Sequence, residues 1–238
     1  MIILLPPSEG KAGGGRSGTS WDPTAGDTGK ALGDKRGQVA AALRRARGGD
    51  QKLLGVGGDA LTRARAANKS LIGAPTLPAW QRYTGVVWDH LDLPSMTAAA
   101  RKAAVGSILV PSGLLGVVRA DEQVPDYKLK MGASLVPVGK LARFWSVAVT
   151  AEIARLARGR VIVDLLPQEH AAAVDWDALT NVVHVDLVAR AGGAVGGHNA
   201  KAAKGLLARH LLECADGPTV GRTAASFRHH DYKAQVRT

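Results

Sequence analysis

Apolar positions in this chain follow two rhythms, short unbroken runs and longer helical spacings. Ile2-Ile3-Leu4-Leu5, Ile108-Leu109-Val110 and Val161-Ile162-Val163 are runs of the first kind. Runs of that length, bounded by turn or charged residues, predict strands covered on both faces. Val182 to Val188 adds a further β-rich stretch, and the alternation from Phe227 to Val236 predicts a closing edge strand. Helical spacing predicts helices over 35–47, 58–70, 95–105, 140–158 and 200–215. The first ends in Arg44-Arg45-Ala46-Arg47, suited to the negative end of the dipole, and Gly48-Gly49 stops it. The clearest amphipathic pattern is 140–158, with Leu141, Phe144, Trp145, Ala148, Ile153 and Leu156 on its buried side.

Between these elements, residues 10–34 are rich in Gly, Ser, Thr and Asp and include Gly13-Gly14-Gly15. The composition predicts a long mobile loop with a functional or disordered role. Pro75 and Pro78 mark a boundary beside which Trp80, Tyr83 and Trp88 pack as core or rim aromatics. Helices interleave with short strands without a regular βαβ repeat, so the predicted class is mixed α/β (α+β) in a single domain over 1–238.

Composition supports a globular protein, since apolar residues make up 46% of the 238. No apolar run reaches the roughly 18 residues needed to span a bilayer. Met1-Ile-Ile-Leu-Leu-Pro-Pro lacks a basic leader and reads as a first strand, and Cys214 is the sole cysteine, so the expected compartment is cytoplasmic. Cys214 itself, within Leu211-Leu212-Glu213-Cys214, is expected to be a packed helical residue.

Charge changes the picture more. The formal net charge is +11, concentrated toward the two ends. Residues 1–70 carry twelve Lys/Arg against six Asp/Glu, and 201–238 carry seven against three. The middle, 71–200, is nearly balanced at twelve against eleven. Such a field favours polyanions, although a compositional bias toward Ala and Arg would also produce it.

The most specific chemistry lies at Leu53-Leu54-Gly55-Val56-Gly57-Gly58-Asp59-Ala60-Leu61. A Gly-hydrophobic-Gly turn between helices is the pattern of helix-hairpin-helix elements, here at about 36–70. Glycines let the backbone approach a phosphate, and the following helix offers unpaired N–H groups. Arg63 and Arg65 follow within reach of a nucleic-acid backbone. Asp59 and Leu61 depart from the pattern, and a glycine turn between two core helices is the competing reading. The same letters fail as a dinucleotide fingerprint, because Leu53-Leu54 is too short a strand and residues 71–80 contain no acid.

Other candidate anion contacts are Lys11, in Ser8-Glu9-Gly10-Lys11 just after the first strand, and the pairs Lys128/Lys130 and Lys201/Lys204. Alternation in Tyr127-Lys128-Leu129-Lys130-Met131 puts both lysines on one face if the segment is a strand. Before it, Leu114, Leu115, Val117 and Val118 anchor a turn and leave Arg119 free to project. Solvated lysines are the alternative for each pair. Asp164 and Glu169 follow a strand as possible acid and base, or as caps of the next helix. His210 and Glu213 lack a second pair for zinc, His229-His230-Asp231 reads as a polar edge, and no Gly-x-Ser-x-Gly elbow is present.

The run Val110-Pro111-Ser112-Gly113-Leu114-Leu115-Gly116-Val117-Val118-Arg119, with Pro125-Asp126-Tyr127-Lys128-Leu129-Lys130-Met131-Gly132, resembles the YaaA family of peroxide stress proteins. Ile3-Leu4-Leu5-Pro6-Pro7-Ser8-Glu9-Gly10-Lys11, Tyr83-Thr84-Gly85, Phe144-Trp145 and Asn199-Ala200-Lys201-Ala202-Ala203-Lys204-Gly205 fall in order with it. The resemblance covers nearly the whole chain. It implies a positively charged cleft, a helix-hairpin-helix element and a role in limiting oxidative DNA damage, with control of free iron as one route. No residue pattern points to iron, and neither metal nor cofactor is expected. The expected partner is duplex or branched DNA, held through Lys11, Gly55, Gly57, Arg63, Arg65, Lys128, Lys130, Lys201 and Lys204. The alternative is an enzyme on a small anionic substrate, using Ser8, Glu9, Lys11, Tyr127, Lys128 and Lys204. A scaffold for an acidic protein surface is a third reading.

Overall fold

A computed structural model describes residues 1–190, 197–215 and 219–237. Its elements begin with β1 (Ile2–Leu4), β2 (Gly10–Lys11), α1 (Gly29–Arg45), α2 (Gln51–Leu54), α3 (Gly58–Lys69), β3 (Thr76–Pro78), α4 (Ala79–Arg82), β4 (Tyr83–Thr84) and α5 (Val86–Leu91). Then come α6 (Ala98–Val105), β5 (Ile108–Ser112), β6 (Gly116–Arg119), β7 (Gln123–Pro125), β8 (Ser134–Leu135), β9 (Gly139–Lys140) and α7 (Leu141–Ala157). The remainder holds β10 (Ile162–Asp164), α8 (Gln168–Ala171), β11 (Val182–Ala189), α9 (Gly197–Cys214), α10 (Val220–Ser226) and β12 (Tyr232–Arg237).

The apolar runs become the centre of one six-stranded sheet, ordered β12-β11-β10-β1-β5-β6. β11, β10, β1 and β5 are parallel, with Leu4 opposite both Asp164 and Leu109. Antiparallel β12 and β6 close the two sides. Parallel strands need helices over them, which is why β1 is apolar at every position and fully buried. Burying one such Leu or Ile contributes roughly 2 kcal/mol. The mixed α/β class is therefore correct. Its parallel centre is an addition to the sequence reading, because three-residue strands carry no mark of their direction.

Helix α7 follows its predicted stripe: Leu141, Trp145, Val149, Ile153 and Leu156 are buried, while Phe144 and Ala148 are half-covered. The Trp145 indole donates to Gly113 O at 2.9 Å, so this buried ring leaves no polar atom unpaired. On another side, α5 packs against α9. A Cβ at Gly205 would sit 2.3 Å from Val87 O, so only glycine lets these two helices close.

Several expectations need correction. Residues 10–34 are held against the body, and α1 begins within them at Gly29. The buried Arg82 donates to Ala12 O, to Gly14 O at 2.8 Å and to Val124 O at 3.1 Å, while Trp21 is buried. Arg119 does not project freely; it pairs with Asp121 at 2.8 Å and Asp27 at 3.5 Å. Cys214 is exposed at the last turn of α9 rather than packed.

Candidate functional site

The carboxyl ends of β1, β5 and β10 lie at one edge of the sheet, where open parallel sheets place ligand groups. Beyond β1 the chain runs through Leu5-Pro6-Pro7, fixed by Trp88 Nε1 donating to Pro6 O at 3.2 Å. It then turns at Ser8 and Glu9 into β2, where Lys11 pairs with Tyr83 of β4. The Lys11 Nζ lies 4.4 Å from the centre of the Tyr127 ring and 5.6 Å from that of Tyr83, and it donates to Ser8 O at 2.9 Å. Desolvation by this packing, reinforced by Lys128, lowers its pKa from 10.5 to about 7. Beneath it runs a buried hydroxyl chain. Tyr83 OH and Tyr127 OH are 2.9 Å apart, and Tyr127 OH donates to Ser112 Oγ at 2.8 Å. Burial raises both phenols, Tyr127 to about 12, so they stay protonated.

Residues 127–131 show the predicted alternation: Tyr127, Leu129 and Met131 are buried, and Lys128 and Lys130 are half-exposed. No partner strand produces it. The Asn68 amide from α3 takes that place, donating to Lys128 O at 2.8 Å and accepting from Lys128 N at 2.9 Å. Both lysines then reach Glu9, at 3.3 Å from Lys128 and 3.7 Å from Lys130. Burial pushes the Glu9 carboxyl up, but Lys128, Lys130 and Lys201 outweigh it and hold the group below its usual range.

Gly55 ends α2 in the left-handed conformation at φ +67, and a Cβ there would stand 3.2 Å from Lys130 Nζ. The turn between α2 and α3 thus abuts the lysine pair. Gly57 stands just before α3 as its N-cap, with no side chain to satisfy the first N–H groups.

On the other flank, Asp164 at the end of β10 accepts from Leu166 N at 2.8 Å and holds His184 Nδ1 at 2.8 Å, with Trp176 edge-on to the imidazole. Lys204 of α9 donates to Leu165 O at 2.6 Å, and desolvation lowers its pKa. Lys204 also acts on His170, whose buried Nδ1 has no hydrogen-bond partner among the described residues. Burial lowers the His170 pKa and Glu169 opposes this, while Lys204 and Lys11 add to the fall. Neither Asp164 nor Glu169 caps the next helix: Glu169 accepts from Gly132 N at 2.9 Å.

The fold therefore brings Lys128 and Lys130 to Glu9 beside the Gly55 turn and sets Lys11 over Tyr127 with its amine on the Ser8 carbonyl, while Lys11 and Lys204 both act on His170. Lys201, exposed one turn before Lys204, is close enough to act on Glu9. Arg63 and Arg65 are not brought in. They are exposed on α3, and Arg65 turns back to Arg47 O at 3.4 Å. Asn68 and His170 were not anticipated. Asn68 gives no signal within a helical stretch, and His170 gains meaning only from the lysines packed beside it. Elsewhere His229, His230 and Asp231 bring ligand-type atoms within 4.8 Å, but they already bond one another on a single turn.

Residues 1–233 match the family described as peroxide stress protein YaaA. The chain belongs to the YaaA family. Among similar proteins is a UPF0246 protein of Streptomyces coelicolor, 34% identical over 226 residues, 92% of this chain and 85% of the relative. A UPF0246 protein of Corynebacterium efficiens is 34% identical over 172 residues, covering 69% and 66%. One from Bordetella avium is 31% identical over 139 residues, covering 55% and 54%. This YaaA-family chain has, among the described residues, no helix long and apolar enough to cross a membrane.

Proposed function

We propose that this YaaA-family protein binds the sugar–phosphate backbone of duplex or branched DNA through a basic recess formed by these lysines, and so limits oxidative damage to DNA in the peroxide stress response. The observation that carries the reading is the pairing of Lys128 and Lys130 with Glu9 beside Lys11, with Lys11 and Lys204 acting together on His170 at the carboxyl edge of the sheet. The α2–turn–α3 unit then serves as the helix-hairpin-helix element. Gly55 brings backbone to Lys130, and the uncapped start of α3 offers N–H donors to a phosphate. Contacts of this kind position a duplex without reading its sequence. Arg63 and Arg65 would meet the flanking duplex.

The test is fluorescence anisotropy on a labelled duplex across a salt titration. Log affinity falls by about 0.9 per neutralised phosphate for each log unit of salt, and Lys128→Ala/Lys130→Ala lowers that slope by about 1.8. Affinity indifferent to salt, or unchanged in the double variant, would overturn the reading.

A second reading, catalysis on a small anionic substrate in the same recess, is favoured by one observation. Lys11 is tuned to titrate near neutrality and acts on His170, whose buried Nδ1 has no hydrogen-bond partner among the described residues. Phosphate contact alone requires neither.

A further inference from the structure

We infer that Lys11 is an imine-forming nucleophile for an aldehyde carried next to phosphate, the chemistry offered by the ring-opened sugar of an abasic site in DNA. The inference rests on the recess being a phosphate site and adds a reaction to it.

The argument begins with what surrounds each amine. Lys128 and Lys130 pair with the Glu9 carboxylate. Lys11 has no carboxylate at hydrogen-bond range among the described residues; its contacts are one peptide carbonyl and two tyrosine rings. An amine in that setting sheds its proton near neutral pH, which is the requirement for attack on a carbonyl. The residue as a whole is partly exposed.

Position is the second part. Lys128 adjoins Lys11 on one flank, followed by Lys130 and the Gly55 turn. The charge of Lys11 also reaches His170, on which Lys204 acts as well. A nucleophile set among cations matches a carbonyl carried next to phosphate. The deoxyribose of an abasic site has that form within a strand; a free phosphoaldehyde has half of it.

The chemistry balances without an oxidant or reductant. The neutral Lys11 amine adds to the aldehyde carbon, and the carbonyl electron pair takes up a proton to give a carbinolamine. Its hydroxyl then leaves as water and a carbon–nitrogen double bond remains. His170, whose pKa burial lowers and whose imidazole feels the charge of Lys11, is the base assigned to take the proton that the nitrogen loses on addition. Water reverses the linkage.

The test is trapping by sodium borohydride with the full chain and a duplex containing one abasic site, read on a denaturing gel and by peptide mass mapping. The expected product is a covalent complex mapped to Lys11, absent with intact duplex. Lys11→Arg keeps a long basic side chain but lowers the yield at least about tenfold, because a guanidinium does not form the imine. A parallel arm uses glyceraldehyde 3-phosphate without DNA. Trapping on Lys11 there but not with abasic duplex keeps the imine and assigns a free phosphoaldehyde as its source. Reduced adducts scattered over other lysines, or no adduct with either aldehyde, overturn the inference. Salt-sensitive binding of intact duplex, measured on the same sample, separates that failure from failure of the DNA-binding reading.

Discussion

The Asn68 side chain grips both backbone groups of Lys128, donating to its carbonyl at 2.8 Å and accepting from its N–H at 2.9 Å. Its amide also donates to Gly48 O at 2.9 Å, so one residue fastens the start of the α1–α3 connection to the lysine segment. Asn68→Ala leaves these buried groups unpaired and should cost about 2 kcal/mol or more. Denaturant unfolding measures that loss. Duplex affinity, compared where both proteins are folded, should also fall because Lys128 and Lys130 lose their register. A variant as stable and as tight as the parent would remove Asn68 from this role.

Glu9→Gln should strengthen DNA binding. The carboxylate occupies Lys128 and Lys130 and is well exposed, so removing its charge frees two cations at little cost to the fold. An exposed pair is worth up to about 1 kcal/mol, which sets the expected gain at about threefold to fivefold at low salt. Anisotropy reads the change, and weaker binding would count against a recess that works by phosphate contact.

Protonation of Lys11 gives a pH signature. Its folded pKa, about 7, lies below the ordinary 10.5, so between those values the unfolded chain holds the extra proton. This group's contribution to stability therefore rises with pH across that window and is least below pH 7. Lys11→Met should show its greatest stability relative to the parent near pH 6, with the difference shrinking by pH 9. Urea midpoints at the two pH values decide it, and a constant difference would refute the shift.

Gly55→Ala tests the turn. At φ +67 an alanine is strained by about 1 kcal/mol, and its methyl group meets Lys130 Nζ. The variant should unfold at lower denaturant concentration and bind duplex more weakly. Intact affinity would separate the turn from the nucleic-acid contact.

The sequence carried much of this arrangement where a local rule applied. The alternation in Tyr127–Met131 forecast which side chains are buried, and the apolar runs forecast strands. It failed where a partner came from elsewhere. The backbone of Lys128 is satisfied by a side chain from α3, not by a neighbouring strand, and Arg119 meets Asp27 from a loop expected to be mobile. His170 looked like any helical histidine, since its character depends on Lys11 and Lys204, nearly a whole chain apart.

That separation has a consequence for biosynthesis. Lys204 leaves the ribosome 193 residues after Lys11, yet both act on the same imidazole. A nascent polypeptide cannot own a finished recess until α9 has docked, so neither premature termination products nor fragments cut before that helix should inherit the activity.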